Sequence, residues 1–227
     1  MNWEQAVALE RNGQQNFRAV LGVDWSALQG IHGGFATAIA VRAAGEVVRE
    51  SGAEAGTTLR AMTVGFARGS VAGPADIAVE IVRKGRNMVT THARVEQGGG
   101  PTLLVRCHHS TPWEGMVYSD APPAPVMPGG CSRLDINAPN AALGNVETHL
   151  HPATPVLGGG QRAEWMAWCR PKHSSTFDSV WLTMFGDYFP PAVFARRREP
   201  SRAVSIEYSL QIHRAEGEAC LAHGREQ

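Results

Sequence analysis

The chain has 227 residues, 43% of them hydrophobic and 19% charged, with 21 basic residues balancing 21 acidic ones. That length allows one large domain or two of about 110 residues each, with enough apolar material for a core. The neutral balance argues against a dedicated nucleic-acid or membrane-surface binder, which needs a basic face. No stretch is apolar and long enough to span a bilayer. The N-terminus, Met-Asn-Trp-Glu-Gln-Ala-Val, lacks the basic-then-apolar layout of a signal peptide. Cys107, Cys131, Cys169 and Cys220 lie far apart with no Cys-x-x-Cys pair, so neither a zinc site nor a disulfide framework is expected. Free thiols and a cytoplasmic location follow as expectations.

Trp3 to Arg18 is weakly patterned, helical or extended. Asp24 to Gly30 predicts a turn leading into Ile31-His32-Gly33-Gly34. The apolar run that follows, from Phe35 to Val48, is rich in small residues and predicts a buried helix ending near Ser51-Gly52, where glycine suits a C-terminal cap. Four strands are then predicted over Leu59–Arg68, Ile77–Arg83, Met88–Glu96 and Thr102–His108. The third alternates most cleanly, with Val89, Thr91, Ala93 and Val95 on one face and Thr90, His92, Arg94 and Glu96 on the other. Gly73-Pro74, Lys84-Gly85-Arg86-Asn87 and Gly98-Gly99-Gly100-Pro101 supply turns. The first half is thus expected to be one helix followed by an antiparallel meander. A single helix buries its whole surface only if the sheet curls around it.

From Ser119 to about Gly160, prolines sit among glycines, alanines and asparagines. This reads as a connector with one short strand around Val146–His149. A strand is predicted over Arg162–Arg170. Phe177 to Pro191 predicts a short apolar helix, started by Asp178, stopped by Pro190-Pro191, and carrying Asp187 in its last turn. A carboxylate in such surroundings is costly unless paired, hydrogen-bonded or protonated. It is either a catalytic acid or an edge residue touching water. Val204–Ile212 alternates strictly, with Val204, Ile206, Tyr208, Leu210 and Ile212 expected inward. A buried helix, a loop and an alternating strand ending in an arginine (Arg68, Arg214) therefore occur twice, the pattern of a diverged duplication.

Several residues admit a functional and a plain reading together. The free N–H groups at the helix start His32-Gly33-Gly34 can polarise a carbonyl, or the glycines serve tight packing and His32 a cap. Arg83, Lys84 and Arg86, and Arg196-Arg197-Arg198, can meet phosphates or be solvated turn charges. His108-His109 and His149-Leu150-His151 lack a matching carboxylate or cysteine, so no metal is expected. No Gly-x-Ser-x-Gly elbow is present.

The order and spacing of Gly30-Ile-His-Gly-Gly34, Phe66-Ala-Arg68, Arg83-Lys-Gly-Arg86 before Val95-Glu-Gln97, Met184-Phe-Gly-Asp-Tyr-Phe-Pro-Pro191 and Ser205-Ile-Glu-Tyr-Ser-Leu-Gln-Ile-His-Arg214 resembles the double-hotdog acyl-CoA thioesterases of the thioesterase II type. The resemblance implies an α+β double hotdog, two tandem copies of a long helix wrapped by an antiparallel β-sheet. The halves would be residues 1–118 and a shortened 161–227, joined by the connector 119–160. It implies hydrolysis of acyl-CoA with no cofactor beyond the coenzyme A of the substrate, homo-oligomers, and a place in fatty-acid metabolism. It carries a catalytic acid onto Asp187, a hydroxyl onto Ser205 and a glutamine onto Gln227, because Glu216 to Gln227 is similar to the family's last strand. The family has roughly thirty more residues between the equivalents of Arg214 and Glu216. His32, Gly33, Gly34 and Arg86 would bind substrate. Two other readings stay open: a hotdog hydratase or dehydratase acting on enoyl thioesters through His32, and a non-catalytic acyl-thioester-binding protein.

Overall fold

The computed structural model describes residues 2–113, 115–116, 120, 128–134, 141–154, 156–172, 177–199, 201–213 and 220–225. In chain order the first half contains α1 (Trp3–Ala6), β1 (Glu10–Arg11), β2 (Asn16–Leu21), β3 (Ser26–Ala27), β4 (Gly30–Ile31), α2 (Gly33–Glu50), β5 (Thr58–Phe66), β6 (Gly73–Lys84), β7 (Met88–Gln97) and β8 (Gly100–Ser110). The second contains β9 (Ser132–Arg133), β10 (Val146–Leu150), β11 (Glu164–Pro171), α3 (Ser179–Phe185), β12 (Glu207–Gln211) and β13 (Cys220–Arg225).

The axis of the molecule is α2. Its residues from Gly34 to Ala44, Arg42 excepted, are buried, because Ala, Val and Ile let it seat against sheet on one side and helix on the other. Full burial of Phe35, Ile39 or Val47 contributes about 1.5–3 kcal/mol each. The helix stops at Ser51, whose hydroxyl donates to the Val48 carbonyl at 2.7 Å, and Gly52 follows with φ +72°. Around it runs an antiparallel seven-stranded sheet in the order β1-β2-β6-β7-β8-β5-β12. Val89, Thr91, Ala93 and Val95 all point inward, as their alternation predicts, and so do Leu103, Val105 and Cys107. The predicted meander needs correction: β6, β7 and β8 are consecutive, but β5 pairs with β8 and β12, not with β6.

The second sheet has the order β13-β11-β10-β9, so residues 132–150, read above within the connector, supply two of its strands. The duplication is visible in the pairing. β11 and β2 precede the helices, β12 and β5 follow them, and β12 lies antiparallel against β5, Ser209 opposite Thr63. β13 pairs with β11 as β6 pairs with β2. The segment likened to the family's last strand thus takes the β6-like position. Among the described residues no strand bridges β12 and β13.

Three expectations for the second half are corrected. Its helix is not long: α3 spans 7 residues. It ends at Phe185 with Gly186 as its C-cap, so Asp187 lies just beyond the helix, not in its last turn. The strand over 204–212 is regular only from Glu207 to Gln211, and Val204 and Ile206 are 72% and 78% exposed. Their alternation has no dry face to match, because the chain there runs along the edge of the sheet. Asp178 caps α3 as predicted, accepting from the N–H groups of Val180 and Trp181 at 3.0 Å. The helices are bound by an aromatic cluster. Trp3 stacks on Trp181 with ring centroids 3.8 Å apart, and Trp25 stacks on Phe35 at 4.6 Å.

Candidate active site

The site forms where the N-terminus of α2 meets the C-terminal end of α3. Two glycines make the approach possible. A Cβ on Gly34 would lie 2.3 Å from the carbonyl oxygen of Met184, so the two helix backbones touch there. A Cβ on Gly33 would lie 2.5 Å from Asp187 Oδ2 and 2.7 Å from the Phe66 ring. The Asp187 carboxylate therefore rests against the first turn of an 18-residue helix, where N–H groups are unsatisfied and the dipole is positive. The N-cap, His32, makes no side-chain capping bond, so those N–H groups are not plugged from within.

Asp187 is half-buried and Ser205 exposed. The Ser205 hydroxyl donates to Asp187 Oδ1. That leaves Oδ2 facing Gly33 and Phe66. Behind the carboxylate stands Tyr208, whose ring crowds Gly186 so closely that a Cβ there would be 2.7 Å away. Its hydroxyl donates to the Thr183 carbonyl at 2.8 Å. Burial, and to a lesser degree the charge of Asp187, push the Tyr208 hydroxyl well above its ordinary range, so it stays protonated and acts as a donor. His32 is 4% exposed and its Nδ1 has no partner among the described residues. Burial lowers its pKa, opposed by the Asp187 charge and by a hydrogen bond to the Tyr188 backbone. The imidazole is therefore held neutral. Cys107 is pushed up to about 12 by burial, which removes it as a nucleophile.

The structure thus brings together Asp187, Ser205, Gly33, Gly34 and His32. It does not bring Arg86 to them. Arg86 is exposed in the β6–β7 hairpin, and in that hairpin Lys84 donates to the Ser51 carbonyl at the opposite end of α2, about 27 Å away for an 18-residue helix. Gln227 lies outside the described residues. Sequence reasoning misses Phe66 and Tyr208 as neighbours of the acid; the signal that points to Tyr208 is a phenol in the strand entered from Ser205. Among the described residues no group of three His, Cys, Asp or Glu side chains could hold a metal. No helix among them is long and apolar enough to cross a membrane.

Comparison with known proteins identifies the architecture. The profile of the acyl-CoA thioesterase N-terminal domain matches residues 21–111, and that of the acyl-CoA thioesterase C-terminal domain matches residues 118–224. The chain belongs to the acyl-CoA thioesterase family. It is accordingly a thioester hydrolase with a hotdog fold. A conserved hot dog fold protein of unknown function from Alicyclobacillus acidocaldarius superposes with a TM-score of 0.86 at 20% identity, over 97% of this chain and 84% of that one. The tesB protein of Mycobacterium avium subs paratuberculosis gives 0.75 at 19% identity, over 95% and 82%. Acyl-CoA thioesterase II TesB2 of Mycobacterium marinum gives 0.58 at 20% identity, over 81% and 66%. At these identities the likeness carries the fold. No curated protein matches the sequence.

Proposed function

We propose that this thioesterase hydrolyses acyl-CoA by activating water at Asp187. The observation that carries the reading is the Ser205–Asp187 hydrogen bond made against the open N-terminus of α2. Asp187 takes a proton from water as the oxygen adds to the thioester carbon. The carbonyl oxygen, now an oxyanion, is stabilised by first-turn N–H groups of α2, a kind of contact worth about 3–4 kcal/mol. Collapse expels the coenzyme A thiolate, which takes up the proton. The free acid and the thiol leave. Ser205 holds the carboxylate in register, and Gln227 is proposed to hold the same water. Association into homo-oligomers, a cytoplasmic location and a role in fatty-acid metabolism belong to the same proposal. The enoyl-hydration reading gains no support from His32, since a buried, neutral imidazole under the helix terminus is poorly sited to exchange protons with solvent.

Thiol release from acyl-CoAs of several chain lengths tests the reading. Asp187→Asn should lower kcat about 10²–10⁴-fold. Ser205→Ala should cost about 10- to 100-fold, the worth of a hydrogen bond to a charged group, with Ser205→Thr largely retaining activity. Full activity in Asp187→Asn would refute it.

A further inference from the structure

Two basic clusters stand out in the sequence, and the structure separates their roles. The cluster at Arg83–Arg86 sits at the far end of α2, with Lys84 engaged in capping that helix. The other, Arg196-Arg197-Arg198, lies on the loop between Asp187 and Ser205. The hydrogen bond between those two residues closes the base of that loop. From Arg196 to Arg202 the chain carries four arginines and one acid, Glu199. All four arginines are exposed. Among the described residues none of the four is engaged in an ion pair. Arg198 lies seven positions before Ser205, a reach of at most about 25 Å.

The arginines also leave a fixed backbone. A short turn over Ala192–Ala195 buries Phe194 and Ala195. The strap 157–160 then holds the segment by three hydrogen bonds: Leu157 N–H to the Phe194 carbonyl at 2.7 Å, Gly160 to Ala195 at 2.8 Å and Gly159 to Arg197 at 3.1 Å. To make these bonds the strap adopts left-handed backbone at Leu157, φ +55°, the one non-glycine residue with positive φ among those described, and at Gly159, φ +68°. A leucine in that region is strained, and such strain persists where the surroundings over-determine it. The Arg198 guanidinium lies over Gly159, within 2.8–3.0 Å of where a Cβ would stand. The strap thus fixes three consecutive arginines, exposed and without an ion pair among the described residues, on the loop that joins Asp187 to Ser205.

We propose that Arg196, Arg197 and Arg198 form the subsite for the phosphates of the coenzyme A thioester. The assignment rests on the reading of the site as one for acyl-CoA, and it places coenzyme recognition on this loop and not at Arg86. A guanidinium presents a planar fork of donors that fits phosphate oxygens two at a time. The phosphates of coenzyme A lie a full pantetheine arm from the sulfur, so their subsite belongs on a neighbouring loop and not among the reacting groups. The acyl and pantetheine parts do not meet the arginines. The cluster therefore selects coenzyme A thioesters over thioesters of shorter, uncharged thiols.

The test compares wild type with Arg196→Ala/Arg197→Ala/Arg198→Ala on two substrates, an acyl-CoA and the same acyl group on N-acetylcysteamine. The variant should lose about 10- to 100-fold in kcat/KM on acyl-CoA, through KM. It should keep its kcat/KM on the N-acetylcysteamine thioester. Equal loss on both substrates, or none on acyl-CoA, overturns the assignment. Calorimetric binding of free coenzyme A, 3′,5′-ADP and pantetheine separates the subsite from the chemistry. The first two should bind wild type more tightly than the variant, and pantetheine should bind both alike. A wild type that hydrolyses neither thioester yet binds coenzyme A in an arginine-dependent way refutes the catalytic reading and leaves the phosphate subsite standing. Coenzyme A binding unchanged by the triple substitution overturns the subsite itself.

Discussion

Three glycines of α2 offer a test of how the site is built, because one methyl group added at each meets different surroundings. At Gly34 the new carbon would stand 2.3 Å from the Met184 carbonyl oxygen and 3.1 Å from its carbon, about 1 Å inside ordinary contact in a close-packed interior. Both are backbone atoms of α3, so no rotamer change relieves the clash and the helices must separate. Overpacking of that kind costs about 1–3 kcal/mol. At Gly45, in the same helix, the methyl meets nothing within 4 Å. There alanine should stabilise by about 0.5–1 kcal/mol, through reduced freedom of the unfolded chain and better helix propensity. Gly34 lies in the first turn and Gly45 in the interior, so the propensity gain is larger at Gly45, and it is the overpacking that makes Gly34→Ala destabilising. At Gly33 the methyl meets side chains only, Asp187 Oδ2 at 2.5 Å and Phe66 at 2.7 Å. These can move, so the fold survives, but the carboxylate is displaced. A misplacement near 1 Å costs roughly 10²-fold in rate.

Urea unfolding followed by tryptophan fluorescence, with thiol release in parallel, reads all three. Gly34→Ala should unfold at lower urea than wild type and Gly45→Ala at higher, with m unchanged. Gly33→Ala should unfold near wild type and be about 100-fold less active. Equal midpoints for Gly34→Ala and Gly45→Ala would refute the helix contact. Full activity in Gly33→Ala would refute the position of Asp187.

Two further outcomes concern stability. Asp178→Ala removes the acceptor for two N–H groups of α3 and should cost about 1 kcal/mol; an unchanged urea midpoint would contradict the cap. His109, 3% exposed with Nδ1 unpartnered among the described residues, is lowered by burial to about 4. The unfolded chain binds its proton first as pH falls. Stability is therefore complete above about pH 6.5 and drains away down to about pH 4, by about 3 kcal/mol in all. His109→Leu should flatten stability measured across that window, and an unaltered slope would count against this source of acid lability.

The sequence reveals what depends on near neighbours in the chain. Val89, Thr91, Ala93 and Val95 face inward because alternation and one dry face leave no other choice. Asp178 is legible as a cap from its place before the apolar run, and Gly52 as a stop from its place after one. Partners chosen at long range are not legible. Nothing near Phe66 says that its strand lies between β8 and β12, since that follows from how the sheet wraps α2. Ser205 could be likened to a family hydroxyl, but its reach to Asp187 depends on a loop whose path is set by hydrogen bonds from residues 157–160. Leu157 gives no local sign of its left-handed backbone, because tertiary contacts impose it. Val204 and Ile206 mislead for the same reason: alternation predicts a buried face only where something packs against it.

The duplication raises the question of why one half should carry a site and the other not, and the helix ends supply an answer. α3 begins at Asp178, whose carboxylate accepts from the N–H groups of Val180 and Trp181. Its positive end is closed by its own side chain. α2 begins at His32, which makes no capping bond, and it continues into Gly33 and Gly34, which add no side chain over the terminus. Its positive end is open, and the group that faces it, Asp187, comes from the other half of the chain. The two halves thus share one fold but differ in three local choices: the cap, the small residues behind it, and the acid after the partner helix. Those choices leave one open terminus and one acid to face it, and the proposal of one reaction centre per chain rests on these side chains at the ends of the helices.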